Sequence, residues 1–167
     1  MKTPVNSMIF TTALLCLAVS CDYVRDMFPN GKSELTFLYT TSLQKNKGDT
    51  LLFTGNDIKW INGTTGEIRF VDSTFIPKIK PFFRLKCFLG PDSLFIATVT
   101  TPVMSSIVND LVLNLDIKDG RFYFKDGYPE WINNPGITGI RIQNKAKRAF
   151  AWNRFLVELK KEGRYKE

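Results

Sequence analysis

The sequence predicts an α+β fold in which an antiparallel sheet of about six or seven strands carries a C-terminal α-helix packed on it. Strand-like segments follow one another from Glu34 to Lys125, and those at 82–89, 110–117 and 121–125 alternate apolar and polar side chains with a period of two. Such alternation is typical of strands with one buried face and one wet face. After Asn144 the apolar spacing becomes helical, and a helix there can cover the apolar face of the sheet. A closed, lipocalin-like β-barrel followed by a helix is the alternative.

The strand segments are separated by turn chemistry. Gly90-Pro91-Asp92 and Lys118-Asp119-Gly120 each join two alternating segments, which predicts two hairpins. Asn56 or Asp57 is a plausible cap for a single helical turn that reaches Ile61. The predicted strands are 34–39, 50–54, 67–71, 82–89, 93–100, 110–117 and 121–125.

The C-terminal part of the chain is predicted to be a loop followed by one helix. Prolines and glycines interrupt residues 127–142, so this segment is expected to form the loop. Asn144 is a suitable N-cap, residues 145–162 contain no Gly or Pro, and Gly163 suits the end of a helix. The residues expected to face the sheet are Ala149, Trp152, Phe155, Leu156 and Leu159.

The N-terminus carries the pattern of an export signal. Lys2 supplies a positive charge, and Met8 to Val19 is an uncharged apolar stretch of 12 residues. That length fits the hydrophobic region of a signal peptide. It is too short for a transmembrane helix, which needs about 20 apolar residues.

The apolar stretch ends in Leu17-Ala18-Val19-Ser20-Cys21, which resembles the lipobox of bacterial lipoproteins. The resemblance implies cleavage between Ser20 and Cys21, diacylglycerol on the Cys21 thiol, and usually acylation of the new amine. It divides the chain into a signal peptide (1–20), a lipidated N-terminus with a short tether (21–33) and a single α+β domain (34–167). The precursor is similar to small envelope lipoproteins of Gram-negative bacteria that have no assigned activity. The expected location is the cell envelope, with the outer membrane or cell surface favoured over the inner membrane.

The residue types of the folded domain argue against most enzyme chemistry. The chain has no histidine, so a Ser/His/Asp triad is excluded and zinc is disfavoured. Cys87 is the only cysteine left after Cys21, and its position in an apolar strand predicts a buried thiol. No phosphate-binding glycine motif is present. We therefore expect no cofactor, no metal and no enzymatic activity.

The carboxylates leave two alternatives open. One is a glycan hydrolase that uses two acids, and the other is an accessory protein that binds carbohydrate. Nothing in the spacing of these acids demands shared geometry, because several of them lie in turns or on a polar strand face. The candidate acids are Asp57 with Glu67, and Asp116, Asp119, Asp126 and Glu130.

Positive charge is concentrated at the C-terminus. Residues 22–140 contain 13 basic and 13 acidic side chains, whereas residues 141–167 contain 9 basic and 3 acidic ones, a net charge of +6. Lys145, Lys147 and Arg148 fall in the first turn of the predicted helix, where the helix dipole disfavours cations. A cluster that breaks this rule suggests an anionic partner, such as lipid headgroups or a glycan. The alternative is a solvated basic face.

Two aromatic residues in the predicted loop, Tyr128 and Trp131, are candidates for stacking on a sugar, or for closing the edge of the core. Three segments also resemble the Asp-Ser/Thr acceptor of bacterial O-glycosylation, although turns favour the same residues: Asp49-Thr50-Leu51, Asp72-Ser73-Thr74 and Asp92-Ser93-Leu94.

The sequence as a whole predicts a membrane-anchored envelope lipoprotein with a non-catalytic binding or structural role. Its partners would be the membrane, through the lipid, and an envelope protein, anionic lipid or glycan, but not nucleic acid.

Overall fold

The computed structural model describes residues 33–40, 49–72, 74, 78–116 and 120–167, which belong to one compact unit from Ser33 to Glu167. The predicted signal peptide, lipobox and most of the tether lie outside the described residues. The unit has its own hydrophobic core, so residues 33–167 are expected to fold as an independent domain. Its elements are β1 (Leu35–Thr40), β2 (Thr50–Thr54), β3 (Ile58–Asn62), β4 (Glu67–Phe70), β5 (Arg84–Leu89), β6 (Asp92–Thr100), β7 (Val112–Asp116), β8 (Arg121–Lys125), α1 (Pro135–Lys161) and β9 (Tyr165–Lys166).

The sheet is mixed, which corrects the expectation of a purely antiparallel sheet. Its nine strands follow the order β2-β1-β5-β6-β7-β8-β4-β3-β9. Most neighbours are antiparallel, but β6 and β7 are parallel, and so are β3 and β9. The segment between β6 and β7 is long enough for the chain to cross back and start β7 beside the end of β6, as parallel pairing requires.

Two strands were not predicted, and they raise the count from seven to nine. Ile58 to Ile61 was expected to continue a helical turn, but only Gly55–Asp57 forms a 3-10 turn, and β3 begins directly after it. An Asp57 carboxylate oxygen accepts a hydrogen bond from the Thr54 backbone N–H at 2.8 Å, which closes this turn. The other missing strand, β9, contains two residues and pairs with β3 only after α1 has returned the chain to the sheet.

The sheet is curled, and its inner face is filled by aromatic side chains. The rings of Phe53 on β2 and Phe70 on β4 are 5.0 Å apart, although these strands are far apart in the sheet order. Within the described residues the sheet begins at β2 and ends at β9 without pairing them, so the closed lipocalin-like barrel is not formed.

The C-terminal helix covers the inner face, which confirms the α+β class. Phe155 and Leu159 are completely buried, and the Phe155 ring meets the rings of Phe95 and Phe37 edge-on at 5.3 and 6.1 Å. Trp152 and Leu156 are partly buried against the core, as expected, whereas Ala149 is exposed.

The predicted start of the helix is wrong by about three turns. Helix α1 begins at Pro135, and the Asn134 side chain accepts hydrogen bonds from the backbone N–H groups of Gly136 and Ile137. Proline is favoured in the first helical turn, because its missing N–H has no partner there in any case. Asn144 therefore lies inside the helix, where its Nδ2 donates to the Asn109 carbonyl at 2.9 Å.

The helix ends at Lys161, close to the predicted end, and Gly163 follows with a φ of 70°. None of the helices in the described part of the chain has the length and hydropathy required to cross a bilayer.

Candidate functional site

The described domain contains a cleft of about 660 Å³ beside the N-terminal half of α1. Its walls come from α1, from the end of β8 with the segment that follows it, and from the turn between β3 and β4. Phe124 and Trp152 provide an apolar wall, and their rings are 5.3 Å apart. A volume in the range of about 300 to 1,000 Å³ is typical of ligand sites in proteins.

Arg148 ties the helix to this part of the domain. Its side chain is only 11% exposed, and its guanidinium forms ion pairs with Asp110 and Asp126. Lys145 Nζ lies 2.8 Å from the second oxygen of Asp126. The two acids neutralise most of the charge that the sequence offered as an anion site.

The proposed anion-binding residues do not lie at the start of a helix, which corrects the argument from the helix dipole. Lys145 comes ten residues after Pro135, and Lys147 and Arg148 follow it inside α1. Lys147 is exposed and pairs with no described acid, whereas Lys145 and Arg148 line the cleft. The structure therefore brings two of the three residues together and leaves Lys147 outside.

Arg141 is a cleft residue that the sequence analysis missed. Its Nη2 donates to the carbonyls of Pro129 at 3.1 Å and Val108 at 3.4 Å, and it has no carboxylate partner among the described residues. It lies against Gly127, where an added Cβ would be 2.3 Å from Arg141 Nε. Gly127 also has a φ of 144°, a backbone conformation that glycine adopts more easily than other residues. Glycine therefore suits this position both in its backbone and in leaving room for Arg141.

Placing the start of the helix at Pro135 from the sequence identifies Arg141 as a residue on the same helical face as Lys145 and Arg148. Once Asn134 and Pro135 are recognised as cap and first residue, the helix includes Arg141, Lys145 and Arg148 at positions i, i+4 and i+7. Residues with this spacing share one helical face. The signal was present in the sequence but was hidden by the glycines that follow Pro135.

The two aromatic candidates have different environments. Tyr128 is buried, its hydroxyl donates to the Met104 carbonyl at 3.2 Å, and its backbone pairs with that of Val108. Trp131 is 82% exposed. The structure thus gives Tyr128 a packing role and does not present the two rings as one stacking surface.

Most acids proposed for catalysis have polar partners in the structure. Asp57 closes the turn before β3, and Glu67 Oε1 lies 2.7 Å from Arg69 Nε. Glu130 lies 3.6 Å from Lys125 Nζ, and it lines the cleft together with Asp126. Asp116 lies in β7, and Asp119 is outside the described residues.

The pKa is raised by burial at two groups, and neither of them lies in the cleft. Cys87 is fully buried in β5, and burial raises the pKa of its thiol well above the usual range. Burial also raises the pKa of the Glu162 carboxyl after α1, although Ser33 and Arg164 oppose the shift. Among the residues whose placement is described, no group of three or more His, Cys, Asp or Glu is arranged to hold a metal ion.

No protein-family model, no curated protein and no solved structure matches this chain. Its function is therefore argued from the residues and the geometry alone. Of the O-glycosylation candidates, Thr50 and Ser93 are exposed and Ser73 is outside the described residues, so this modification stays a prediction.

Proposed function

We propose that the protein is a lipid-anchored protein of the bacterial cell envelope whose domain binds an anionic ligand in the cleft beside α1 without chemical conversion. The anchor is the acylated Cys21, supported by the apolar stretch that precedes it and by its resemblance to a lipobox. The short tether then keeps the domain close to the bilayer.

The observation that carries the binding role is the combination of an uncompensated arginine and an apolar wall in one cleft. The positive charge of Arg141 is not balanced by a described carboxylate, because its guanidinium donates to two carbonyls instead. Trp152, which is partly exposed, lines the cleft and is backed by the buried ring of Phe124, so the cleft has an apolar wall for a weakly polar ligand surface. An acidic glycan has both properties, since its carboxylates suit a guanidinium and its sugar faces stack on aromatic rings.

A non-catalytic role is supported by the condition of the acids in the cleft. Asp126 is held between Arg148 and Lys145, and Glu130 lies beside Lys125. Both carboxylates are thus engaged by cations of the domain, whereas a catalytic pair must face the bound substrate.

The anchor is tested with the full chain in a Gram-negative host. Labelled palmitate should be incorporated into the wild-type protein and not into Cys21→Ser, and the variant should lose its membrane association. A matched Cys16→Ser variant should behave as the wild type, because Cys16 leaves with the signal peptide. Equal membrane retention of Cys21→Ser, with no label on either chain, would contradict the anchor.

The cleft is tested by titrating residues 33–167 with uronic-acid oligosaccharides and with their neutral counterparts. We expect binding of the acidic series and a loss of about tenfold in affinity for Arg141→Gln, since a charge-assisted hydrogen bond contributes about 1.5 kcal/mol or more. Lys147→Gln removes the same charge outside the cleft and is the matched control. Thr138→Trp, which keeps every charge and fills the cleft, should abolish binding. Equal affinity of both series, or no effect of either cleft variant, would refute the assignment.

A second candidate function, glycan hydrolysis, is supported by the presence of Asp126 and Glu130 in the same cleft. If it is correct, the wild-type domain releases reducing ends from a glycan, and Glu130→Gln stops the release while leaving binding intact. Binding without release over a long incubation would leave the non-catalytic role as the better account.

A further inference from the structure

Four large apolar side chains are exposed on three segments that contact one another through hydrogen bonds. Val103 and Trp131 are each 82% exposed, Ile107 is 54% exposed and Ile140 is 47% exposed. They come from the segment between β6 and β7, from the segment before α1, and from the second turn of α1. Isolated exposed apolar residues are common on soluble proteins, but a group on neighbouring segments usually marks an interaction surface.

Hydrogen bonds hold these segments together. The backbones of Val108 and Tyr128 exchange two hydrogen bonds of 2.8 Å, next to Ile107 and close to Trp131 in sequence. Arg141, the neighbour of Ile140, bridges the same two segments through the Val108 and Pro129 carbonyls. We name this surface, formed by Val103, Ile107, Trp131 and Ile140, the apolar tip.

Positive charge lies beside the apolar tip. Lys147 is two helical turns beyond Ile140 on nearly the same face of α1, and it is exposed. Neither Lys147 nor Arg141 has a carboxylate partner within the described ranges, whereas Asp110 and Asp126 are already engaged by Arg148. Glu130, the exposed acid next to Trp131, lies 3.6 Å from Lys125 Nζ, so the cations without a carboxylate partner leave an excess of positive charge near the apolar side chains.

We infer that the apolar tip docks on the surface of a bilayer that contains anionic phospholipid. Exposed aliphatic side chains can enter the boundary of the acyl chains, tryptophan favours the headgroup level, and lysine and arginine are attracted to anionic lipids. A soluble protein partner would explain the apolar residues, but it would not by itself require the adjacent unpaired cations.

Proximity to the bilayer strengthens the inference, and only this step rests on the proposed lipid anchor. The tether from Cys21 to Ser33 spans 12 residues, which extend to about 40 Å at most. A domain held within that distance meets the membrane at high effective concentration, so a weak contact is sufficient for docking. Glu130 and Ile132, the neighbours of Trp131, line the cleft, so a docked tip would bring the cleft to the headgroup layer.

The test uses the emission of Trp131, which is the most exposed of the three tryptophans. Residues 33–167 are mixed with phosphatidylcholine vesicles that contain or lack phosphatidylglycerol, and with the same vesicles carrying brominated lipid. We expect a blue shift and quenching on the anionic vesicles and a weaker effect at high salt, because salt screens the lysine attraction. Trp131→Phe should keep most of the binding but lose the spectral change.

Variants give the expected magnitudes. Trp131→Ala should lower the partition coefficient about tenfold, since part of a large aromatic surface no longer leaves water. Lys147→Gln should lower it about fivefold on anionic vesicles only. Leu51→Ser is the control, because Leu51 is about as exposed as Ile107 but lies on the edge strand β2, and it should have no effect.

Three results would overturn the inference. The first is vesicle binding that does not change in Trp131→Ala. The second is Trp131 emission that stays unquenched in the free domain and also in the acylated full chain reconstituted in anionic nanodiscs. A Trp131 shift with solubilised envelope proteins but not with vesicles would assign the tip to a protein. If the chain is not acylated but the domain still docks through Trp131, only the lipid anchor is contradicted. If the chain is acylated but Trp131 stays unquenched, only the docking is contradicted.

Discussion

Replacing Arg148 with glutamine removes the cation that joins α1 to the acids at the ends of two neighbouring strands. Arg148 is nearly buried, and its two acidic partners, Asp110 and Asp126, are partly exposed. Exposed ion pairs contribute about 0.2 to 1 kcal/mol each, and bonds from a buried guanidinium lie at the upper end of that range. Asp126 keeps Lys145 as a partner in the variant, so no carboxylate becomes buried and unpaired. The expected loss is therefore about 1 to 2 kcal/mol.

The assay is urea denaturation of residues 33–167, followed by far-UV circular dichroism. With an m value of about 2 kcal/mol/M, the midpoint of Arg148→Gln should fall by about 0.5 to 1 M. Lys147→Gln is the matched control, because it removes an exposed cation from the same helix and should change the free energy of unfolding by less than about 0.5 kcal/mol. A double-mutant cycle with Asp126→Asn should give a coupling energy of about 1 kcal/mol.

Two results would refute this reasoning. Arg148→Gln could be as stable as Lys147→Gln, which would mean that the ion pairs do not hold the N-terminal half of α1. Alternatively, Arg148→Gln could fold normally and lose binding of acidic oligosaccharide as strongly as Arg141→Gln. In that case Arg148 would serve the ligand, as the sequence analysis proposed, rather than the structure of the domain.

Two further predictions concern buried titratable groups. Because burial raises the pKa of Glu162 in the folded domain, stability should increase as pH falls from neutral towards the ordinary value of 4.5, and this gain should be smaller in Glu162→Gln. The Glu162→Gln variant should be at least as stable as the wild type at neutral pH. Urea midpoints measured at several pH values test both points. A wild-type domain that loses stability relative to the variant as pH falls from neutral towards 4.5 would contradict them. Cys87 in residues 33–167 should react with a thiol reagent only through opening of the domain, because its thiol is buried and its pKa is raised. Fast labelling of the folded domain, at a rate close to that in concentrated urea, would contradict this expectation.

Seven strands were predicted within about two residues of their observed bounds. Alternation identified those in the middle of the chain, because a two-residue period depends only on which face of a strand is buried. β3 escaped prediction because Ile58 and Ile61 have helical spacing after a good cap, Asp57. Its identity as a strand is decided by pairing with β4 and β9. The start of α1 was misplaced because Pro135 and the glycines after it suggest a loop, whereas proline is tolerated at the first position of a helix.

The candidate site, like the fold, was predicted from the sequence only in part. Lys145 and Arg148 were identified as candidates from their charge, but charge in a sequence does not show whether an acid lies opposite. Asp110 and Asp126 are far from Arg148 in sequence and meet it only through folding. Arg141 became a candidate for the converse reason, since folding gave it carbonyl partners and no described carboxylate.

By itself, the sequence predicted an export signal, and it determined the position of most strands and the concentration of positive charge near the C-terminus, because each depends on residues that are neighbours along the chain. Only the tertiary structure decided the strand order, the parallel pairs, the cleft and the surface formed by Val103, Ile107, Trp131 and Ile140. These features depend on contacts between distant segments. Such contacts are selected by the burial of the whole core and leave no local pattern.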